Sequence, residues 1–240
     1  MNKPTLQVCL TNNLMDLYQQ NINKKLVVFI DILRNTSTMT AALFYGIEKV
    51  KPVSTVEEAS AYLGKANYIV AGERQGVKIP KFDAGNSPLF YKTRDNNNKT
   101  LVITSTNGTQ SVKYAQRAKI LCCGGFINQT ALINFVKKHQ LPTLLLASGW
   151  RGDVNIEDTL FAGALVNYLK PYFEVTGDPA ILSEQLYQQH QNNITELVAN
   201  ASHYNRIAVL EQKKDIAYCL NSDVAPVVPV FDGEYLTISV

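Results

Sequence analysis

Residues 26–38 read LVVFIDILRNTST, and this stretch decides the interpretation of the fold. Residues 26–30 are all apolar, which is typical of a strand that is covered on both faces of its sheet. Asp31 follows the strand directly, and a short polar turn then leads into an amphipathic stretch at about 37–46. The order strand, turn, helix predicts one unit of a parallel α/β sheet.

The same alternation of short apolar runs and amphipathic stretches continues along the chain. Strands are predicted at 6–10, 26–30, 50–54, 68–72, 100–104, 119–123 and 143–147. Helices are predicted at about 37–46, 55–65, 108–118, 127–139 and 156–170. We therefore expect an α/β protein, a three-layer α/β/α fold with a mixed, largely parallel sheet, in a single domain over residues 1–240.

The C-terminal part of the chain has a different pattern. Residues from 178 to about 220 are polar and helical, and they are followed by VAPVVPVF and the short segment EYLTISV. Proline cannot donate a backbone hydrogen bond to a neighbouring strand. Pro226 and Pro229 therefore predict an edge strand or an extended segment, and not a central strand.

Composition excludes several classes of protein. The 240 residues are 46% hydrophobic, and 23 basic against 20 acidic side chains give a net charge of +3. The basic residues are scattered, so no nucleic-acid partner is expected. No apolar run approaches the ~20 residues that cross a bilayer, so no membrane partner is expected either. The four cysteines form no CxxC pair, which favours a cytoplasmic protein. Enzymes of this size often self-associate, so a homo-oligomer is one expectation.

Five predicted strands end in polar or glycine-rich turns. These turns begin at Asp31, Gly72, Thr104, Gly124 and Ser148. In open α/β sheets, ligands bind in the crevice beyond the carboxyl ends of the strands. We therefore expect all five turns to line one crevice.

Asp31 is the strongest single candidate in that crevice. A carboxylate at the tip of a buried strand is a Mg²⁺ ligand, a nucleophile or a helix cap. Thr36 and Ser37 already offer good caps for the following helix, which favours one of the two functional roles. The segment is similar to the first motif of aspartyl-nucleophile phosphatases, but Leu33 stands where that motif needs a second Asp.

Other residue types at these turns suit an anion. Arginine pairs with phosphate, carboxylate or sulfonate through its fork of donors, and a helix N-terminus offers free N–H groups. Each such group also has an ordinary role in a surface ion pair, a turn or a helix cap. The predicted substrate-binding residues are Arg34, Arg74, Asn86, Ser87, Asn107, Gly108 and Thr109.

Three further carboxylates complete the predicted site. Glu73 stands at a strand end, whereas Glu157 and Asp158 lie in the first turn of a helix. There the two carboxylates either interact favourably with the helix dipole, or they serve as a metal ligand and a base. The predicted catalytic residues are Asp31, Glu73 and Asp158, and the predicted metal ligands are Asp31, Glu73, Glu157 and Asp158.

Two cysteines and the tryptophan lie close to these turns, and the sequence gives an expectation for where each side chain packs. Cys122 and Cys123 are expected to be small buried apolar groups, because no histidine lies near them in sequence. Trp150 is either a wall of the crevice or part of the core.

The same turns give the chain a resemblance to a known family. The matching segments are 27–43, 72–88, 104–112, 124–128 and 156–166, with weaker matches at 202–207, 215–223 and 227–230. Together they resemble the 2-phosphosulfolactate phosphatases of coenzyme M biosynthesis, a family of Mg²⁺-dependent acid phosphatases. The chain departs from the family at 147–153, where Trp150 replaces a small polar residue.

The resemblance implies a cytoplasmic enzyme that hydrolyses 2-phospho-3-sulfolactate to 3-sulfolactate and phosphate. This small polyanionic phosphate ester would need several donors, which Arg34, Arg74, Lys78, Arg151 and residues 107–109 could supply. A Mg²⁺ held by Asp31 with Glu73 or Asp158 would neutralise its phosphate. The alternatives are a phosphatase of another small phosphorylated hydroxy acid and a non-catalytic anion-binding protein.

Overall fold

The structure is a computed structural model that describes residues 3–106, 108–209 and 212–238. Within these ranges the strands are β1 (Thr5–Cys9), β2 (Leu26–Ile30), β3 (Lys49–Pro52), β4 (Tyr68–Arg74), β5 (Val77–Lys78), β6 (Thr100–Thr104), β7 (Ile120–Gly124), β8 (Thr143–Ala147), β9 (Glu174–Val175), β10 (Pro229–Phe231) and β11 (Leu236–Ile238). The helices are α1 (Asn35–Phe44), α2 (Val56–Ser60), α3 (Gly108–Ala115), α4 (Gln129–His139), α5 (Ile156–Leu169), α6 (Asp178–His190), α7 (Ile194–Ala199), α8 (Ser202–Val209) and α9 (Lys213–Leu220).

The described strands form one sheet in the order β5-β4-β6-β3-β11-β10-β7-β2-β8-β1-β9. Strands β4, β6 and β3 run parallel to one another, and so do β7, β2, β8, β1 and β9. The antiparallel hairpin β10–β11 lies between these two parallel groups. The predicted mixed, largely parallel sheet is therefore confirmed.

Helices cover both faces of the sheet. Strand β2 shows this, since successive side chains of a strand point to opposite faces. In β2, Leu26, Val28 and Ile30 pack in a core cluster with residues of α4 to α9. Val27 and Phe29 pack in a second cluster, with residues of α1 and α3. This arrangement confirms the three-layer prediction and explains the continuous apolar run of the strand. No described helix is both long enough and apolar enough to cross a membrane.

The prediction of an edge or extended position for the C-terminal prolines is wrong for Pro229. Pro229 is the first residue of β10, in the middle of the sheet, and it pairs with Ile238 of β11. A proline is tolerated at the first position of a strand, where the lost donor costs little. Strand β10 also makes only one residue pair with β7, between Val230 and Cys122.

The predicted bounds differ from the structure mainly around β3 and α2. Strand β3 begins at Lys49 and ends at Pro52, whereas the prediction was 50–54. Thr55 accepts the Glu58 N–H in a capping box, and helix α2 then ends at Ser60 rather than 65. Three strands, β2, β6 and β8, have their predicted bounds. The single-domain organisation stays a prediction.

Gly163 lies where α5 packs closely on α6. A Cβ atom at Gly163 would lie 1.9 Å from the backbone oxygen of Ser183. A backbone cannot yield as a flexible side chain does, so Gly163→Ala should lower the free energy of unfolding by about 3 kcal/mol. Urea denaturation measures this loss. The exposed control Gln185→Ala in α6 should change stability by less than about 0.5 kcal/mol. A fully stable Gly163→Ala variant would contradict this packing.

Candidate active site

A cleft lies at the carboxyl edge of the sheet, where most of the predicted turns meet. Its described lining residues are Asp31, Leu33, Arg34, Glu73, Gln75, Gly76, Asn86, Ser105, Thr106, Trp150, Arg151, His203, Arg206 and Ile207. Four of the five predicted turns, those after β2, β4, β6 and β8, contribute to this lining.

The fifth turn, after β7, does not line the cleft. Asn128 is buried and accepts the Gly125 N–H, and its side-chain amide donates to the Val227 carbonyl. The Ala225 N–H likewise donates to the Ile127 carbonyl. The segment before β10 therefore covers this turn. The expectation that all five turns share one crevice is wrong for this one, because the insertion of β10–β11 was not predicted.

Asp31 lies on the cleft with only 8% of its surface exposed. One carboxylate oxygen accepts the Asn35 N–H at 3.3 Å, and the described residues give the other oxygen no hydrogen bond. Burial raises the pKa of Asp31 to about 6, although nearby His203 opposes the rise. The charges of Glu73 and Glu157 add to it. The carboxyl group is thus poised to ionise near neutral pH, which suits a catalytic or ligand role.

Thr36 and Ser37, which were predicted to cap α1, make other hydrogen bonds. Thr36 Oγ1 donates to the Asp31 carbonyl and accepts the Asp31 N–H, and Ser37 Oγ donates to the Ile32 carbonyl. Both residues lie inside the helix, and the side chain of its N-cap residue, Arg34, makes no capping hydrogen bond. The N–H of Asn35, the first helical residue, donates instead to the Asp31 carboxylate. The expectation that Thr36 and Ser37 cap α1 is therefore wrong, since they fasten the turn that presents Asp31.

Glu73 also lies on the cleft, but both of its carboxylate oxygens are engaged. Oε2 accepts the Gly76 N–H at 2.5 Å. Oε1 accepts the Thr106 N–H at 2.7 Å and the Thr106 hydroxyl at 2.9 Å. Glu73 therefore joins the turn after β4 to the turn after β6. This arrangement favours a positioning role over the predicted catalytic or metal-binding role.

Asp158 is buried behind the cleft and does not line it. Its Oδ1 accepts the Ile32 N–H at 2.8 Å, and its Oδ2 accepts the Asn155 side-chain amide at 3.0 Å. Burial, followed by the charges of Asp31 and Glu157, raises the pKa of Asp158 well above its usual range. The residue fastens the turn after β2 to the N-terminus of α5, where Asn155 is the N-cap.

Glu157 is fully buried, and it holds a histidine that the sequence patterns did not single out. His203 Nδ1 donates to Glu157 Oε1 at 2.6 Å, and the Asn155 amide donates to the same oxygen. Glu157 Oε2 is buried without a partner in the described structure. The His203 ring stacks on Trp150, with ring centroids 5.4 Å apart. Trp150 is thus a wall of the cleft. The weaker match at 202–207 was the available signal for His203.

Three arginines reach the cleft. Arg34, which is 4% exposed, donates to Asp215 at 2.5 Å, and Asp215 also accepts the Ser87 hydroxyl at 2.7 Å. Arg206 donates to the Gln75 carbonyl, and the Arg151 guanidinium lies 4.8 Å from the centre of the Trp150 ring. Arg206 and Asp215 were not singled out from the sequence, although both lie in the weaker matching segments.

Two other predicted cations point elsewhere. Arg74 donates to the Glu73 carbonyl and to the Thr104 hydroxyl, and it does not line the cleft. Lys78 donates to the Phe82 carbonyl at 2.5 Å. Ser87 also lies outside the lining and acts on Asp215. The predicted roles of these three residues in substrate binding stay predictions, and their contacts favour structural roles.

Of the remaining predicted substrate-binding residues, one lines the cleft, and the other three are described only in part or not at all. Asn86 lines the cleft, and its buried Oδ1 has no partner in the described structure. Asn107 lies outside the described residues, and for Gly108 and Thr109 only the helical backbone is described. Helix α3 begins at Gly108, two positions after Thr106 of the lining.

The cysteines behave as predicted, because all four are free and buried. Burial raises the pKa of the Cys123 thiol to about 12 and raises the pKa of the Cys122 thiol as well. Thiols with raised pKa values are poor nucleophiles at neutral pH.

The carboxylates around the cleft meet part of what a magnesium ion needs. Among the described residues, no three His, Cys, Asp or Glu side chains are grouped closely enough to hold a metal ion. Mg²⁺ usually takes one or two carboxylates and completes its shell with water and substrate phosphate. Asp31 fits that need, because it lines the cleft and one of its oxygens accepts no hydrogen bond from the described residues. The roles predicted for Glu73, Glu157 and Asp158 as ligands stay predictions.

Comparison with known proteins places this chain in a family. The model of the 2-phosphosulpholactate phosphatase family matches residues 11–234. A probable 2-phosphosulfolactate phosphatase of Clostridium novyi is 36% identical, over 92% of this chain and 95% of the relative. Proteins with the same name from Caldanaerobacter subterraneus and Thermotoga petrophila are 35% and 37% identical, over 88% and 84% of this chain and 89% and 87% of the relatives. The chain belongs to the 2-phosphosulpholactate phosphatase family.

Proposed function

We propose that this protein is a phosphatase that hydrolyses 2-phospho-3-sulfolactate to 3-sulfolactate and phosphate. One observation carries the proposal: a single cleft combines the Asp31 carboxylate with Arg34, Arg151, Arg206 and His203. Phosphoryl transfer needs mainly charge neutralisation and alignment, which this set of groups can supply.

The charges of the cleft suit this substrate. The molecule carries carboxylate, phosphate and sulfonate on three adjacent carbons, so each anionic group needs its own donor. Arginine binds such oxyanions through paired N–H groups. Arg34 is held rigidly by Asp215, whereas Arg151 and Arg206 reach the cleft from two other elements. Asn86 also lines the cleft, and its side-chain NH₂ group is a further donor for placing the substrate.

We also propose that Mg²⁺ acts in this reaction and that Asp31 is its protein ligand. When bound, the ion supplies positive charge to the phosphate oxygens. The other predicted ligands have different partners: Glu73 holds two turns together, Asp158 holds the turn after β2, and Glu157 holds His203. The ordinary role of these three carboxylates is then to fix the groups around the reacting phosphate.

The resemblance supports a wider proposal, that the product serves coenzyme M biosynthesis in the cytoplasm. The four free, buried cysteines are consistent with a reducing compartment. Trp150 supports the alternative of another small phosphorylated hydroxy acid, because it forms a wall of the cleft at the position where the chain departs from its family.

A substrate panel tests the proposed function. Phosphate release from 2-phospho-3-sulfolactate should have a kcat/KM about 10 to 100 times that of 2-phospholactate, which lacks the sulfonate, because the loss of one charged hydrogen-bond set costs about 1.5–3 kcal/mol. Turnover should disappear with a chelator and return with added Mg²⁺. Equal activity on both esters would favour a different phosphatase. Binding without turnover would favour a non-catalytic anion-binding protein.

A further inference from the structure

His203 is fixed in the wall of the cleft on two sides. Its Nδ1 donates to the fully buried Glu157, and its ring lies at 21° to the stacked ring of Trp150. The hydrogen bond sets the tautomer and the stacking sets the ring plane, so the imidazole has one orientation. The described residues give Nε2 no hydrogen bond, and His203 lines the cleft together with Asp31.

The proposed reaction creates a need for an acid in this cleft. Cleavage of the phosphate ester leaves an electron pair on the oxygen of a secondary alcohol. An alkoxide is a poor leaving group, and protonation of that oxygen during cleavage typically contributes ~10²–10⁴-fold to the rate.

The other described lining residues are poor sources of this proton. Arg34, Arg151 and Arg206 keep their protons at all relevant pH values. Both carboxylate oxygens of Glu73 already accept hydrogen bonds from the two turns, so neither oxygen is placed to pass a proton to the substrate. Asp31 is the proposed metal ligand, and that role needs its ionised form.

We propose that His203 is the general acid of the reaction and that Glu157 is its positioning residue. This inference rests on the proposed phosphatase function. As the oxygen of water bonds to phosphorus, the bond from phosphorus to the alcohol oxygen breaks and its electron pair stays on that oxygen. The oxygen takes the Nε2 proton of the imidazolium, and 3-sulfolactate leaves. Both protons of the water remain on the released phosphate as H₂PO₄⁻, and the neutral His203 regains a proton from solvent.

Leaving-group dependence distinguishes this role from a merely structural one. For 2-phospho-3-sulfolactate, His203→Gln should lower kcat by ~10²–10⁴-fold with little change in KM. For p-nitrophenyl phosphate, whose phenolate leaves without protonation, kcat should stay near that of the unaltered enzyme. An equal loss of kcat on both esters would overturn the proposal.

A second measurement uses the proposed substrate alone. With ¹⁸O at the bridging position, His203→Gln should increase the kinetic isotope effect on hydrolysis, because the P–O bond then breaks without compensating O–H bond formation. An unchanged isotope effect would overturn the general-acid role. Glu157→Gln should reproduce the loss of kcat on the alkyl ester to a smaller extent, because it weakens the hold on the ring.

His139→Gln is the matched control, since His139 lies in α4 outside the cleft and its Nδ1 hydrogen-bonds to the Phe135 carbonyl of the same helix. It should leave both activities unchanged. If the unaltered protein releases no phosphate from any ester, the proposed function fails. If it does release phosphate but His203→Gln shows no dependence on the leaving group, only the general-acid role of His203 fails.

Discussion

Asp31→Asn should reduce turnover of 2-phospho-3-sulfolactate by at least ~10²–10³-fold and leave the protein folded. Both roles predicted for Asp31, metal ligand and nucleophile, need a charged carboxylate on the cleft, and an amide supplies no charge. A loss of this size is typical when one group that stabilises the transition state is removed. The exposed control Asp16→Asn should keep full activity. A variant that retained the kcat of the unaltered enzyme would remove Asp31 from the site.

The same substitution should make the protein more stable at pH 8 when a chelator is present. Burial raises the Asp31 pKa from 3.8 to about 6, so above pH 6 the folded state carries a charge that the unfolded state solvates better. The rise corresponds to about 3 kcal/mol, which Asp31→Asn would regain at pH 8. Below about pH 4 the carboxyl group is protonated in both states, and the advantage should vanish. Urea denaturation at both pH values measures it, and a variant that is less stable at pH 8 would contradict the cause given for the raised pKa.

Arg34→Met should lower the free energy of unfolding by about 3–5 kcal/mol. The substitution leaves Asp215 buried without its cation, and an uncompensated buried charge is costly. The control is Lys170→Met, because the Lys170–Glu184 pair leaves 46% of the lysine side chain exposed. Its loss should be within about 1 kcal/mol. Equal losses in the two variants would show that the Arg34–Asp215 pair is not desolvated.

A double variant separates stability from anion binding at this pair. Arg34→Met combined with Asp215→Leu removes both charges, so most of the lost stability should return. Activity should not return, because the cleft still lacks the Arg34 guanidinium. Recovery of kcat/KM together with stability would show that Arg34 does not contact the substrate.

Much of the architecture could be predicted because several strands are apolar throughout. The runs at 26–30, 100–104 and 143–147 are fully buried, and their bounds agree with the structure. The position of β10 was not predictable in this way, since its pairing with β7 joins Val230 to a residue more than a hundred positions earlier. Local patterns contain no information on such distant pairing.

The site was predictable where it follows strand ends and not where it comes from helices. Asp31 was found because it directly follows an apolar run. His203 and Arg206 lie in α8, where polar residues are common and nothing local shows which of them face a cleft. For Glu73 and Arg74 the sequence did contain a usable signal. Adjacent residues of a strand point to opposite faces of the sheet. Only one of that pair could face the cleft, and it is Glu73.

The hairpin β10–β11 has a consequence for biosynthesis. Asp31 comes from one parallel group of strands, Glu73 and Thr106 come from the other, and the hairpin joins the two groups. A nascent chain that has emerged from the ribosome only as far as residue 228 therefore contains every described lining residue of the cleft. It still lacks the hairpin that joins the two parallel groups of strands. Because such long-range pairing forms late, the protein should gain activity only after residues 229–238 have left the exit tunnel.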